Sequence, residues 1–248
     1  MVTQVFVSGS AWTPAYKSYL QAQGLGDATF GYTVPGGAAQ LGVLPWGNIN
    51  QVSIRFDQDV LVLDQDLAVR GVRASAYGVS GFDYDDATHT ATWTLAQPVV
   101  ADKIVLDLNG GADGIVSPTP VALDGDWSNG SDSFPSGDGT PGGSLHFRLN
   151  LLGGDVSRDG KVTYFDWLEL RRRLTRTAAS PGPVGGATSY GPFYDPSGDG
   201  AIGTPDLLMV RRNLLRGLPV TEPAGVVMPP PPPPSITRDL LGTDRLIL

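Results

Sequence analysis

Residues 155–166 and 195–206 repeat one arrangement of oxygen-bearing side chains. The first stretch is Asp155-Val156-Ser157-Arg158-Asp159-Gly160-Lys161-Val162-Thr163-Tyr164-Phe165-Asp166, and the second is Asp195-Pro196-Ser197-Gly198-Asp199-Gly200-Ala201-Ile202-Gly203-Thr204-Pro205-Asp206. Side-chain oxygens fall at positions one, three, five and twelve of both. Calcium takes six to eight oxygen ligands at about 2.3 to 2.6 Å, so a short loop can surround it only by coiling tightly. Gly160 and Gly200, at position six, permit such a turn. The carboxylates at one and five and the serine at three would bind directly, the backbone carbonyl of Lys161 or Ala201 would serve at seven, and Asp166 or Asp206 would close the cage. Thr163 at nine could ligate or hold a water, whereas Gly203 leaves that role to solvent and makes the second site wetter.

Each loop carries three carboxylates, so a bound divalent cation leaves one net negative charge, and without the cation the carboxylates repel one another. Magnesium suits the loops less well, because it demands a smaller octahedral shell and gives up its waters reluctantly. One copy of Asp-x-Ser-x-Asp-Gly is weak evidence, since the same residues make ordinary turns. Two copies that share ligand types, the glycine, an apolar eighth position (Val162, Ile202) and a following amphipathic stretch point to two calcium ions. Val162 and Ile202 should point away from the metal and pack the loops together. Binding should supply much of the folding free energy of this region, because the ligand set exists only in the folded form.

The remaining composition excludes several other chemistries. With no cysteine there are no disulfides, thiolate nucleophiles, Fe–S clusters or cysteine zinc sites. A formal net charge of −8 argues against a nucleic-acid backbone or an anionic membrane as partner and favours cations. No apolar run is long enough to span a bilayer, and the first ten residues lack the pattern of a secretory signal. Two placements follow, a cytosolic protein or part of a longer exported one.

The elements that must position the loops are of two kinds. Residues 1–152 read mostly as strands, because Val52, Ile54 and Phe56, then Ala91, Trp93 and Leu95, then Ile104, Leu106 and Leu108, then Leu145, Phe147, Leu149 and Leu151 alternate with mostly polar residues. Glycine-, aspartate- and asparagine-rich breaks between them suggest a sandwich. One helix interrupts near the start, where Thr13 can cap, Pro14 can open and Gly24 can end it, with Tyr16, Tyr19 and Leu20 on one face. Between residues 109 and 143, Asp113, Asp124, Asp126, Asp132 and Asp138 read as solvated turns. From residue 153 the period becomes helical after each loop: Trp167, Leu170 and Leu174 form one stripe, and Leu207, Val210 and Leu214 the other. The segment 178–192 separates the repeats. Past residue 218 the chain turns proline-rich, with Pro229 to Pro234 reading as an extended spacer.

The paired loops and stripes resemble a type I dockerin over roughly 153–217, with two F-hand calcium repeats, each an EF-hand lacking its entering helix and carrying aspartate at position twelve, as at Asp166 and Asp206. The resemblance implies a cohesin-like partner bound through helix positions just past the loop, which fall on Arg171 and Arg172 in one repeat and on Arg211 and Arg212 in the other. These arginines also fit a solvated helix end, where basic residues are favoured, and both readings stay open. The duplication makes a two-fold related surface and two docking orientations possible. Two departures from the family stand out. Position three is serine, and positions ten and eleven are Tyr164-Phe165 and Thr204-Pro205 where the family has a matched Ser/Thr pair. The strands from about 48 to 151 look like bacterial immunoglobulin-like domains, which implies a spacer or adhesive module on an extracellular or cell-surface protein. The resulting expectation is multidomain: an all-β Ig-like sandwich over 1–152, a small all-α dockerin over 153–218, and a proline-rich linker and tail over 219–248.

No catalytic constellation is evident. There is no Gly-x-Ser-x-Gly elbow or phosphate loop. His89, at a strand edge, and His146, opposite an apolar face, read as exposed strand residues. The leading expectation is a non-catalytic, calcium-loaded docking module with a spacer. The alternative is an accessory component of polysaccharide degradation whose sandwich binds sugar. Of the five tryptophans, Trp93 and Trp167 read as packing residues, while Trp12, Trp46 and Trp127 stay open between packing and a sugar platform, with Trp46 and Trp127 the two to test.

Overall fold

The computed structural model describes residues 1–111, 113–183 and 186–224. The Pro229 to Pro234 spacer and the tail lie outside the described residues. Strand β1 (Val2–Ser8) is followed by helix α1 (Pro14–Ala22) and by strands β2 (Gly26–Asp27), β3 (Gly31–Val34), β4 (Val43–Leu44), β5 (Ile49–Phe56), β6 (Leu67–Gly71), β7 (Val79–Asp85), β8 (Thr90–Val99), β9 (Ala101–Leu108) and β10 (Leu145–Leu152). Helices α2 (Tyr164–Arg172) and α3 (Thr204–Asn213) come last.

The strands form two sheets, ordered β2-β3-β1-β5-β8-β7 and β4-β10-β9-β6. Pairing is antiparallel except for β4 against β10. A pleated strand sends alternate side chains to opposite faces, and each of the four alternating sets named above is buried. The outward face of β5 and β8 is a polar ladder, in which the Ser53 and Thr92 hydroxyls lie 2.8 Å apart and Arg55 Nε donates to Thr90 Oγ1 at 3.1 Å. His146 sits half-exposed on β10 with Nδ1 3.1 Å from Asp107 Oδ1. His89, expected at a strand edge, is instead the last residue of the β7–β8 turn at φ +51°. The strands need a reversal there, and a left-handed residue supplies it.

Helix α1 forms as its ends dictate. Thr13 Oγ1 accepts from Tyr16 N at 3.2 Å, Pro14 opens the first turn, and Gly24 at φ +67° ends it. Tyr16 and Leu20 are buried and Tyr19 packs at the edge. Helices α2 and α3 stop earlier than the apolar stripes suggest. Leu170 and Val210 are fully buried and Trp167 and Leu207 partly so, but Leu174 and Leu214 lie beyond the helix ends and are exposed. Left-handed residues just after the helices, Thr175 at φ +69° and Leu215 at φ +66°, turn the chain back before either leucine can complete its stripe.

The apolar faces of both sheets and the inner residues of the helical segment belong to one core. Val162, Leu170, Ile202 and Val210 join Val52, Trp93, Leu106 and Phe147 in it. The join is aromatic: Trp46, fully buried, has ring centroids of Trp12, Tyr32 and Phe193 at 5.1, 5.0 and 5.4 Å. The chain after α3 then returns over the sandwich. Arg73 donates to Gly217 O at 2.7 Å, and Glu222 pairs with Lys103 and with the buried Arg148. Among the described residues no helix is long and apolar enough to cross a membrane.

Because Trp46 ties strands to loops, Trp46→Ala should destabilise the chain by about 3–5 kcal/mol. Denaturant melts followed by fluorescence and by far-ultraviolet circular dichroism should shift together. A loss under 1 kcal/mol would contradict this packing.

Candidate metal centre

Each loop is folded on its first carboxylate. Asp155 Oδ2 accepts from Gly160 N at 2.8 Å and its Oδ1 from Asp159 N at 3.2 Å. Asp195 Oδ2 accepts from Gly200 N at 2.8 Å and its Oδ1 from Gly198 N at 2.8 Å. The serine hydroxyls at position three reach the same carboxylates, Ser157 at 3.2 Å and Ser197 at 3.1 Å. The last carboxylate closes the loop from the other side. Asp166 accepts from Ser157 N and Thr163 N at 2.9 and 2.7 Å, and Asp206 accepts from Ser197 N and Gly203 N at 2.9 and 2.8 Å. Asp159 and Asp199 accept from the amides of Lys161 and Ala201. Gly160 and Gly200 hold φ +88° and +89°, the left-handed region that disfavours any side chain.

The two repeats are also tied crosswise. Val162 N donates to Arg216 O and Val162 O accepts from Leu215 N, both at 2.8 Å. Ile202 N donates to Arg176 O at 2.8 Å and Ile202 O accepts from Thr175 N at 3.0 Å. Each eighth position thus bonds the chain leaving the other repeat's helix, and both side chains are buried.

Asp155, Asp166, Asp195 and Asp206 are fully buried. Among the described residues no lysine or arginine forms an ion pair with any of them. Burial, with the Asp166 and Asp159 charges adding to it, pushes Asp155 up to about 6 against the pull of main-chain N–H donors. Burial and the neighbouring Asp195 charge push Asp206 up to about 7, and burial raises Asp195 as well. Such groups resist ionisation unless positive charge is brought to them. In the second loop one carboxylate oxygen from each of Asp195, Asp199 and Asp206 lies within 4.8 Å of the others. Oxygens sharing one calcium at about 2.3–2.6 Å can lie no more than roughly 5 Å apart, so this trio fits a single cation. The corresponding carboxylates of the first loop do not converge to that distance.

Beyond the loops, Arg171, Arg172, Arg211 and Arg212 are all exposed at the last turns of α2 and α3. Arg172 pairs with Glu169 at 2.8 Å and the Arg171 guanidinium lies 5.2 Å from the Trp167 ring centre. Tyr164 stacks on Trp167, and with Val210, Arg211 and Leu214 these rings line a shallow apolar groove of about 180 Å³. Phe165 is 73% exposed.

Residues 153–215 match the dockerin type I domain model. This dockerin segment is preceded by a β-rich region, and the match covers the loops, both helices and the connection between them. No curated protein matches the chain. Among solved structures, the chain is similar to surface layer protein SbsC, domains 1–6, at 9% identity and TM-score 0.28, over 45% of this chain and 13% of that one. It is also similar to an N-terminal interface mutant of a type II cohesin–X-dockerin complex from Acetivibrio cellulolyticus, at 15% identity and TM-score 0.23, over 66% of this chain and 95% of that one. The chain therefore spans well under two thirds of the surface layer protein.

The dockerin segment sits on the sandwich through its loops. Thr13 N and Oγ1 donate to Gly198 O and Asp199 O, each at 3.0 Å, and Asn48 Nδ2 donates to Ser197 O at 2.7 Å. Gly198 lies under Trp12 so closely that a Cβ would come within 2.2 Å of its ring. From the first loop, Arg158 Nε donates to Val43 O at 2.7 Å and its guanidinium covers the Phe193 ring at 4.3 Å. Tyr190, in the connection between repeats, donates its hydroxyl to Asp195 Oδ2 at 2.8 Å. Trp12, Thr13, Asn48 and Tyr190 lie outside any repeated spacing; the sequence marks Thr13 as a helix cap, but nothing in it marks the contacts of these residues with the loops.

Elsewhere Asp124, Asp126 and Asp138 bring their carboxylates within the same 4.8 Å, a convergence that the sequence reading as solvated turns did not anticipate. Asp124 is buried and accepts from Asp138 N and Gly139 N, both at 3.0 Å, so it acts as the hub that folds this loop.

The raised carboxylates fix the sign of a pH effect. Values above the unfolded ones mean that the ion-free folded chain binds more protons than the unfolded chain between about pH 4 and pH 7. The contribution of Asp155 and Asp206 to stability is therefore present at pH 4 and lost as pH rises through about 6 and 7. Denaturant melts in chelator should show stability falling across this window relative to an Asp155→Asn, Asp206→Asn variant. A rise would contradict the burial of these groups.

Proposed function

We propose that residues 153–218 form a calcium-loaded docking module for a cohesin-like protein domain, attached to an Ig-like sandwich over 1–152 that serves as a spacer on an extracellular or cell-surface protein. Two calcium ions are held by Asp155, Ser157, Asp159, Lys161, Thr163 and Asp166 and by Asp195, Ser197, Asp199, Ala201, Gly203 and Asp206, with Lys161 and Ala201 contributing main-chain oxygens. The observation that carries the reading is the match over 153–215 combined with four buried carboxylates with which no lysine or arginine pairs among the described residues. A divalent cation supplies the charge that these groups need, and its affinity becomes folding free energy. The module's part is to bind, not to catalyse. The docking surface is the exposed helix-end face bearing Arg171, Arg172, Arg211 and Arg212.

The sugar-binding alternative is less well supported. Trp12 and Trp46 are buried, and the half-buried Trp127 packs against Phe134 and Phe147 while its Nε1 donates to Gln40 Oε1. These contacts engage all three rings in packing.

Millimolar calcium should raise the melting temperature of the chain by several degrees and a chelator should reverse the shift. The double variant Asp155→Ala, Asp195→Ala should abolish it; a shift that survives would overturn the ligand assignment. With calcium present, Arg171→Glu combined with Arg211→Glu should weaken binding to a type I cohesin domain at least ten-fold in a surface-based binding assay, without lowering the melting temperature by more than a degree or two. Unaltered affinity would remove the arginines from the docking surface.

A further inference from the structure

The two loops are alike in sequence pattern but not in how they are held. Three successive main-chain carbonyls of the second loop, at Ser197, Gly198 and Asp199, accept hydrogen bonds from Asn48 and Thr13 of the β-rich region. Among the described residues the first loop itself, 155–166, has one tie of comparable kind, through the long side chain of Arg158; its entry is held by Gly153 N to Val100 O at 2.8 Å and Gly154 N to Pro45 O at 2.7 Å. Burial follows the same division. Pro196, Gly198 and Gly200 are buried and Ser197 half-buried, whereas Ser157 is exposed and Arg158 and Gly160 only half-buried.

The first carboxylate of the second loop carries an additional anchor. Tyr190 is 5% exposed, and its ring stands edge-on to Tyr19 of α1 with centroids 4.9 Å apart. Its main chain is fixed by Tyr190 N donating to Pro181 O at 2.7 Å. The hydroxyl then has one rigid place to be, 2.8 Å from Asp195 Oδ2. Asn150 occupies the same distance before the first loop, but its amide donates to Leu41 O, and Asp155 has no phenol partner. A hydroxyl that orients a metal-ligating carboxylate fixes its rotamer before the ion arrives, and removing such outer partners commonly lowers metal affinity about 10- to 100-fold. It is in this loop that the carboxylates of Asp195, Asp199 and Asp206 converge within 4.8 Å.

From these contacts we infer that the second loop is a pre-organised cation site that fills before the first, with Tyr190 as the positioning residue for Asp195 and with Thr13 and Asn48 as its struts. The inference rests on the calcium reading of the loops. It makes the two repeats unequal: the second ties calcium to the join between sandwich and helices, and the first responds at higher calcium.

Calorimetric titration of the full chain with calcium alone tests it. Two classes of site are expected. Asp206→Ala should remove the tighter class and Asp166→Ala the weaker. Tyr190→Phe, which keeps the ring against Tyr19, should weaken the tighter class about ten-fold and leave the weaker class and the melting temperature in chelator nearly unmoved. Loss of the weaker class in Asp206→Ala, two indistinguishable classes, or a Tyr190→Phe effect spread equally over both classes would overturn the inference while leaving calcium binding intact. No uptake of calcium at all would overturn the calcium reading and this inference together.

Discussion

Four buried carboxylates, with which no lysine or arginine pairs among the described residues, are the constraint around which the loops and helices after residue 153 are arranged. Burying a charge is tolerated only when it is paired and hydrogen-bonded. Here main-chain N–H groups supply the hydrogen bonds, from Gly160 and Asp159 to Asp155 and from Ser197 and Gly203 to Asp206. Burial holds Asp155, Asp195 and Asp206 above the usual carboxylate range, and a bound cation is the pairing charge we propose for them. The left-handed glycines, the tight coils and the helix starts at Tyr164 and Thr204 wrap the main chain around these carboxylates.

Two short helices offer little apolar surface by themselves, and a domain of that size is marginal. The chain meets this in two ways. Val162 and Ile202 cross-link the repeats at their eighth positions, so that neither loop can close independently of the other repeat's exit. The loops also rest on the sandwich through Trp12, Thr13, Asn48 and the aromatic group around Trp46. A continuous core then links the acidic loops to strands, and Glu222 holds the returning chain against Arg148 and Lys103.

Much of this was legible in the sequence wherever one residue type has one physical use. Alternation placed Val52, Ile54, Trp93, Leu106 and Phe147 inside, and Thr13, Pro14 and Gly24 bounded α1. The duplicated Asp, Ser, Asp, Gly and Asp spacing located both loops. What was not legible depends on contacts between distant parts of the chain. The same alphabet of glycine and aspartate that forms calcium loops also forms turns, so the gathering of Asp124, Asp126 and Asp138 carried no signal. Leu174 and Leu214 continued the helical period, but the turns at Thr175 and Leu215 interrupt it because the chain must reach the opposite loop. Tyr190 looked like one more residue of a linker, and only its place beside Asp195 gives it a role.

The central claim is that the buried acidic loops are completed by calcium. Native mass spectrometry of the full chain, equilibrated with calcium and then with chelator, tests it most directly. Two calcium ions per chain are expected in calcium, both lost when chelator is added. A chain whose mass is the same in both solutions would contradict the account.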